Sequence, residues 1–240
     1  MCKRKFMEAK VFKVTVMRGS VHMQSDDKEE IMKFDLTLYL ISDSTGLTED
    51  EFLRRIEQAL QGGVTLLQIR EKNRTTLEHY ELAKKVKKLT DAYQIPLIID
   101  DRVDIALAVD AQGVHVGAED MPVREARRLM GPDKIIGATA KRVDTAMQAE
   151  ADGADYLGVG AIYPTTTKVK TVITSVETLQ DICQHVSIPV GAIGGLHAEN
   201  CDILKGTGIQ GICVVSAIMK QKDPRTAAKV LKEKALAIRK

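Results

Sequence analysis

Eight short runs of aliphatic and β-branched residues recur along the chain, and their rhythm restricts the fold more than any other feature. They are LTLYLIS (36–42), VTLLQIR (64–70), IPLIID (95–100), QGVHVG (112–117), KIIGAT (134–139), ADYLGVG (154–160), IPVGAIG (188–194) and IQGICVV (209–215). Their starts lie about 17 to 35 residues apart, the span of one strand plus one helix. The runs are nearly continuous in apolar residues. Strands buried on both faces have that composition, and they belong to parallel sheets covered by helices.

Helical periodicity fills the intervals. Thr48 and Glu51 stand at capping-box spacing ahead of Phe52, Ile56 and Leu60, and Gly62-Gly63 supplies a stop. Thr75 and Glu78 repeat the box before an apolar face of Leu82, Val86, Leu89 and Tyr93. Further helices are expected over 122–130, 143–152, 175–185, 197–206 and 223–238, with a shorter one at 102–110. Eight strand–helix repeats in one α/β domain fit a (β/α)8 barrel, the TIM-barrel architecture. An open doubly wound sheet is the alternative. It normally carries a Gly-rich dinucleotide turn after its first strand, whereas here that strand runs into Ser42-Asp43-Ser44. Aromatics make up 4% and Trp is absent, so the core must be aliphatic.

Residues 1–31 stand apart from this pattern. They carry seven Lys/Arg and five Asp/Glu, which leaves 28 of each in the remainder. The formal charge of +2 thus sits in the leader, and no basic domain for nucleic acid is indicated. The leader lacks the apolar core of a secretory signal. A disordered arm, an organelle address, a cloning remnant and an upstream start all remain open. Met32 reads as a natural beginning, so residues 1–31 are expected to be dispensable and 32–240 to form the barrel. No apolar stretch is long enough to span a membrane. Cys2, Cys183, Cys201 and Cys213 show no metal spacing and read as free thiols of a cytoplasmic protein.

A barrel places its chemistry at the C-terminal ends of the strands. Those positions hold Gln68, Arg70 and Lys72 after the second run, Asp100 and Asp101 after the third, and His115 and Asp120 after the fourth. Thr139 follows the fifth run, and Thr165, Thr166, Thr167 and Lys168 follow the sixth, which Pro164 is expected to end. Gly195 and Val215-Ser216 follow the last two. Each has a plainer reading: a surface ion-pair ladder, a helix cap at Asp100-Asp101, a structural histidine, a tight turn. Their convergence on one rim is the argument. Three cations (Arg70, Lys72, Lys168) with two carboxylates (Asp101, Asp120) suit Mg²⁺ and a diphosphate. The last two loops often form a phosphate pocket.

QIREK (68–72), DDRVDIALA (100–108), GVHVGAED (113–120), GADYLGVGAIYPTTTK (153–168), IPVGAIGG (188–195) and VVSAI (214–218) resemble, in order, the motifs of the thiamine phosphate synthase family. The resemblance covers roughly residues 34–240. It implies an enzyme joining 4-amino-2-methyl-5-hydroxymethylpyrimidine diphosphate to a thiazole monophosphate, with thiamine phosphate and diphosphate as products. By the same resemblance, Gln68, Ile69, Arg70, Glu71, Lys72, Asp100, Thr139 and Lys168 would hold the pyrimidine diphosphate, with Arg70, Lys72 and Lys168 acting on its charge. Asp101 and Asp120 would hold Mg²⁺. Thr165, Thr166, Thr167, Gly195, Val215 and Ser216 would hold the thiazole phosphate. The partners implied are these two small substrates, with homo-oligomerisation left open.

Three positions depart from the family pattern. Asp100 replaces a usual Asn and adds a second carboxylate beside Asp101. Thr139 replaces Ser and keeps the hydroxyl. The stretch from Lys168 to Leu179, whose VKTVITS segment (169–175) is the natural lid, lacks the usual Gly. Two other functions compete: a thiazole tautomerase, which shares the fold and the thiazole pocket, and a non-catalytic phosphate-ligand regulator.

Overall fold

The computed structural model describes residues 34–165 and 172–239. The predicted runs become eight short strands: β1 (Leu38–Ile41), β2 (Leu66–Ile69), β3 (Leu97–Asp100), β4 (Gly113–Val116), β5 (Ile135–Ala140), β6 (Tyr156–Gly160), β7 (Val190–Ile193) and β8 (Gly211–Val214). Each pairs in parallel with its neighbours in chain order, and β8 closes onto β1 through Leu40 opposite Val214. The chain is a closed (β/α)8 barrel.

Strand alternation sorts the apolar side chains into two buried layers. Leu38, Leu40, Leu67, Ile69, Leu97, Ile99, Val114, Ile136, Leu157, Val190 and Ile212 face outward and pack with the helices. Tyr39, Ile41, Leu66, Ile98, Ile135, Tyr156 and Cys213 face inward and fill the barrel with Phe34 and Leu36. Both faces of every strand are therefore buried, which is why the runs lack polar alternation. Gly137 of β5 also faces inward. A methyl group there would overlap the Tyr156 ring, so this glycine makes room for one of the two inward-facing tyrosines.

The helices are α1 (Glu49–Gln61), α2 (Thr76–Ala92), α3 (Val103–Ala108), α4 (Val123–Met130), α5 (Val143–Ala151), α6 (Val176–His185), α7 (Ser216–Met219) and α8 (Pro224–Ile238). The box before α2 is complete: Thr75 Oγ1 accepts from Glu78 N at 3.3 Å, and Glu78 Oε2 accepts from Thr75 N at 2.8 Å. The box before α1 is half made. Thr48 accepts from Glu51 N, but the Glu51 carboxylate is committed to Arg55 at 2.8 Å.

Three expectations are corrected. The helix expected over 197–206 is a single 3₁₀ turn, Cys201–Leu204; Asn200 hydrogen-bonds to Gly195 O and His197 N, and these bonds tie the loop ahead of the turn. The four-residue α7 falls where no helix was expected. Strand β6 ends at Gly160, four residues before Pro164. Ile162 and Tyr163 still donate to Ile193 and Gly194 at 2.9 and 3.0 Å, so pairing with the β7 side fades gradually instead of stopping at the proline. No described helix is long and apolar enough to cross a membrane. Cys183, Cys201 and Cys213 are free thiols; Cys2 lies outside the described residues. So do residues 1–31, the subject of the leader expectation.

Candidate active site

The ends of β2 and β3 bring four of the expected residues into direct contact. Lys72 Nζ lies 2.9 Å from Asp100 Oδ2 and also bonds Asp101. Arg70 Nε lies 3.7 Å from the same Asp100 oxygen. Adjacent residues on an extended strand would point to opposite faces. Asp101 instead turns at φ 60°, a left-handed conformation that Asp tolerates. Arg102 N then donates back to Asp100 O at 2.7 Å. The turn lets two consecutive carboxylates meet one ammonium. Arg70, Lys72 and Asp101 remain partly open to solvent, while Asp100 is nearly buried.

Two members of the QIREK segment are placed differently. The Ile69 side chain faces outward and is fully buried between strands and helices. Glu71 turns away as well. Its Oε2 accepts from Ser44 at 2.7 Å and from Arg74 at 2.9 Å, tying the loop after β1 to the loop after β2. Neither side chain reaches the cluster, so a ligand would meet these two residues through their backbone. No sequence motif points to the Ser44–Glu71–Arg74 clip.

Asp101 and Asp120 line one cavity of about 530 Å³ between the loops after β3 and β4, with Arg102, Asp104 and Met121. Asp120 Oδ2 accepts from Gly117 N at 2.8 Å, which fixes that carboxylate at the cavity wall. Among the described residues no group of three or more His, Cys, Asp or Glu forms a cation cage. Two carboxylates on the wall of one open cavity fit a hard cation that takes its other ligands from water and phosphate.

Beneath these ion pairs runs a buried polar relay that crosses the barrel. Gln68 Nε2 donates to Tyr39 Oη at 2.8 Å, and Tyr39 Oη meets Tyr156 Oη at 2.7 Å. His115 Nδ1 lies 3.1 Å from Tyr156 Oη, and its Nε2 lies 3.0 Å from Thr139 Oγ1. Burial, first of all, pushes both tyrosine pKa values well above the usual phenol range, so both hydroxyls keep their protons. The expectation of a structural histidine agrees with these contacts. Tyr39 and Tyr156 were not singled out, although each stands at an inward strand position; that parity was the available signal.

Across the mouth, Gly195 adopts φ 63° and packs against the loop after β6, where a Cβ would come within 2.7 Å of Tyr163 Cβ. Val215 caps α7 and Ser216 opens it. Thr165 is half-buried on the β6 loop. Thr166, Thr167 and Lys168 lie outside the described residues, as do 169–171 of the expected lid. In the rest of that lid Thr174 is buried and donates from its backbone to Ala161 O at 2.8 Å, and Ser175 caps α6.

Comparison with known proteins places this architecture. Residues 38–218 match the family described as Thiamine monophosphate synthase. The chain is 55% identical over 188 residues to Thiamine-phosphate synthase 2 of Streptococcus pneumoniae, covering 78% of this chain and 90% of that one. It is equally identical to the Enterococcus faecalis thiamine-phosphate synthase, covering 78% and 89%. The solved thiamine phosphate pyrophosphorylase of Pyrococcus furiosus superposes with TM-score 0.77 at 41% identity, over 85% of this chain and 96% of that one. With fold and sequence in agreement and the family match running over residues 38–218, the chain belongs to the thiamine monophosphate synthase family and is a transferase of that class.

Proposed function

We propose that the enzyme joins 4-amino-2-methyl-5-hydroxymethylpyrimidine diphosphate to 4-methyl-5-(2-phosphooxyethyl)thiazole and releases thiamine phosphate and diphosphate. The observation that carries this reading is the cluster of Arg70 and Lys72 with Asp100 and Asp101, beside the cavity shared with Asp120. Arg70 and Lys72 would bind the diphosphate, leaving the carboxylates they pair with in the free protein. Lys168 would add a third cation. Mg²⁺ held by Asp101 and Asp120 would neutralise charge on the departing diphosphate.

The bond from the pyrimidine methylene carbon to the diphosphate oxygen breaks with both electrons leaving on oxygen. The resulting methyl cation is captured by the thiazole nitrogen, which supplies the pair for the new C–N bond. No protein nucleophile takes part. The chain contributes position and preorganised charge: Gln68 and Thr139 at the pyrimidine, and Thr165, Thr166, Thr167, Gly195, Val215 and Ser216 at the thiazole phosphate. The segment 169–175 is the natural shield of the cation from water.

An assay with both substrates, with Mg²⁺ or with EDTA, tests the reading. Thiamine phosphate and diphosphate are expected in equal amounts and only with the metal. Isomerisation of the thiazole without coupling would replace the reading with a tautomerase, and binding without turnover would replace it with a regulator. Lys72→Ala and Asp101→Ala are each expected to lower kcat by about a hundredfold or more with little change in melting temperature, because both residues sit on the open rim.

A further inference from the structure

The two ends of the buried relay, Gln68 on β2 and Thr139 on β5, are joined through three buried residues. We propose that Tyr39, Tyr156 and His115 are positioning residues that lock Gln68 and Thr139 into opposite hydrogen-bonding polarities, and that this polarity selects an aminopyrimidine over an oxopyrimidine. The ligand's identity rests on the function proposed above; the relay itself does not.

The direction of the chain follows from the orientation of the Gln68 amide and a count of hydrogens. The Gln68 amide nitrogen only donates, so Tyr39 Oη accepts from it. Tyr39 has one hydrogen, and its remaining partner is Tyr156. Tyr156 likewise has one hydrogen and gives it to His115 Nδ1. With Nδ1 accepting, the imidazole is neutral and carries its hydrogen on Nε2, which donates to Thr139 Oγ1. The Thr139 hydroxyl therefore keeps its own hydrogen for a ligand, and Gln68 keeps its Oε1 acceptor for one.

Reversing only part of the chain leaves a buried group unmatched. If His115 donated to Tyr156 while Gln68 still donated to Tyr39, one of the two tyrosine hydrogens would lack a partner among the described residues. A buried hydroxyl without a partner is costly in a dry interior. The five groups therefore invert together or not at all. Gly137 belongs to the same device: it stands beside His115 and Tyr156 and leaves the space both rings need.

An aminopyrimidine presents an exocyclic amine that donates and ring nitrogens that accept. One protein acceptor and one protein donor on opposite walls of the barrel match it. In a 4-oxo analogue the amine becomes a carbonyl, which would face the Gln68 acceptor and leave both unpaired. The relay thus converts a chain of buried hydroxyls into a rule about which ring enters.

Two measurements test this on the full chain. Nitrogen-15 NMR of the imidazoles, with His115 assigned by loss of its signals in His115→Gln, is expected to show hydrogen on Nε2. Hydrogen on Nδ1 would overturn the proposal, whether or not the protein makes thiamine phosphate. In steady-state kinetics Tyr156→Phe is expected to raise KM for the pyrimidine diphosphate about tenfold. It should also lower the preference for the amino over the 4-oxo diphosphate by a similar factor, with KM for the thiazole phosphate unchanged. Equal changes for both substrates, or no change, in a variant that melts cooperatively would refute it. Should Tyr156→Phe not fold, Tyr39→Phe carries the same expectation and the same refutation. Absence of any coupling by the wild type would sink the proposed function while leaving the tautomer result to decide the relay.

Discussion

Asp100 sits where two cations converge, and its charge decides how tightly they are held before substrate arrives. Lys72 is 2.9 Å away and Arg70 3.7 Å, with the carboxylate itself nearly buried. An amide at this position keeps an acceptor for Lys72 but removes one negative charge, which frees both cations for a diphosphate. Asp100→Asn is therefore expected to keep kcat within about tenfold of the wild type or to raise it, a tenfold loss corresponding to about 1.4 kcal/mol. A larger loss in steady-state turnover would show that the charge itself is needed. The position of this cluster was legible because strand parity put Gln68 and Arg70 on one face and the run ended at Asp100. The left-handed turn at Asp101 was not legible, because Asp is only enriched in that conformation. The outward fate of Ile69 followed from the same parity, but reading QIREK as one binding segment obscured it.

Elements are held in place by their ends as much as by their faces. Thr75 and Glu78 share three hydrogen bonds: Glu78 N donates to the Thr75 hydroxyl, and the Glu78 carboxylate accepts from Thr75 N and Oγ1, each at 2.8 Å. Thr48 makes one capping bond, since Glu51 has turned to Arg55. Thr75→Ala is expected to lower unfolding free energy by about 1 kcal/mol, and Thr48→Ala by less, in chemical denaturation at neutral pH. The reverse ranking would mean that the Arg55–Glu51 pair had been misjudged as a competitor for the cap. Both start signals were visible in sequence, yet which box closes depended on an arginine four residues on. Elements without a strong periodic face fared differently. Residues 197–206 carry only Cys201 and Leu204 into the core, and side-chain bonds from Asn200 hold the segment to one 3₁₀ turn. The four-residue α7 is too short for any periodicity to register.

At the scale of the molecule, the barrel needs a plug at the end opposite its chemistry, and that plug lies just before the first strand. Phe34 packs edge-on against Tyr156, with ring centroids 5.4 Å apart, and Leu36 is buried beside it. Tyr156 is also the middle of the polar relay, so the plug supports the floor of the site. Residues 1–31 precede this contact, and the family match begins only at residue 38. A chain begun at Met32 retains Phe34 and is expected to match the full chain in melting temperature and turnover. A chain begun at Leu36 loses Phe34, the aromatic part of the plug, and is expected to melt lower. Phe34→Ala in the full chain should reproduce that loss at about 3 kcal/mol, with the pyrimidine KM rising as Tyr156 loosens. Differential scanning calorimetry of the three proteins separates the two ideas. If the Met32 chain alone melts low, the leader contributes to folding; if Phe34→Ala is silent, the barrel is closed by its aliphatic layer without the aromatic plug.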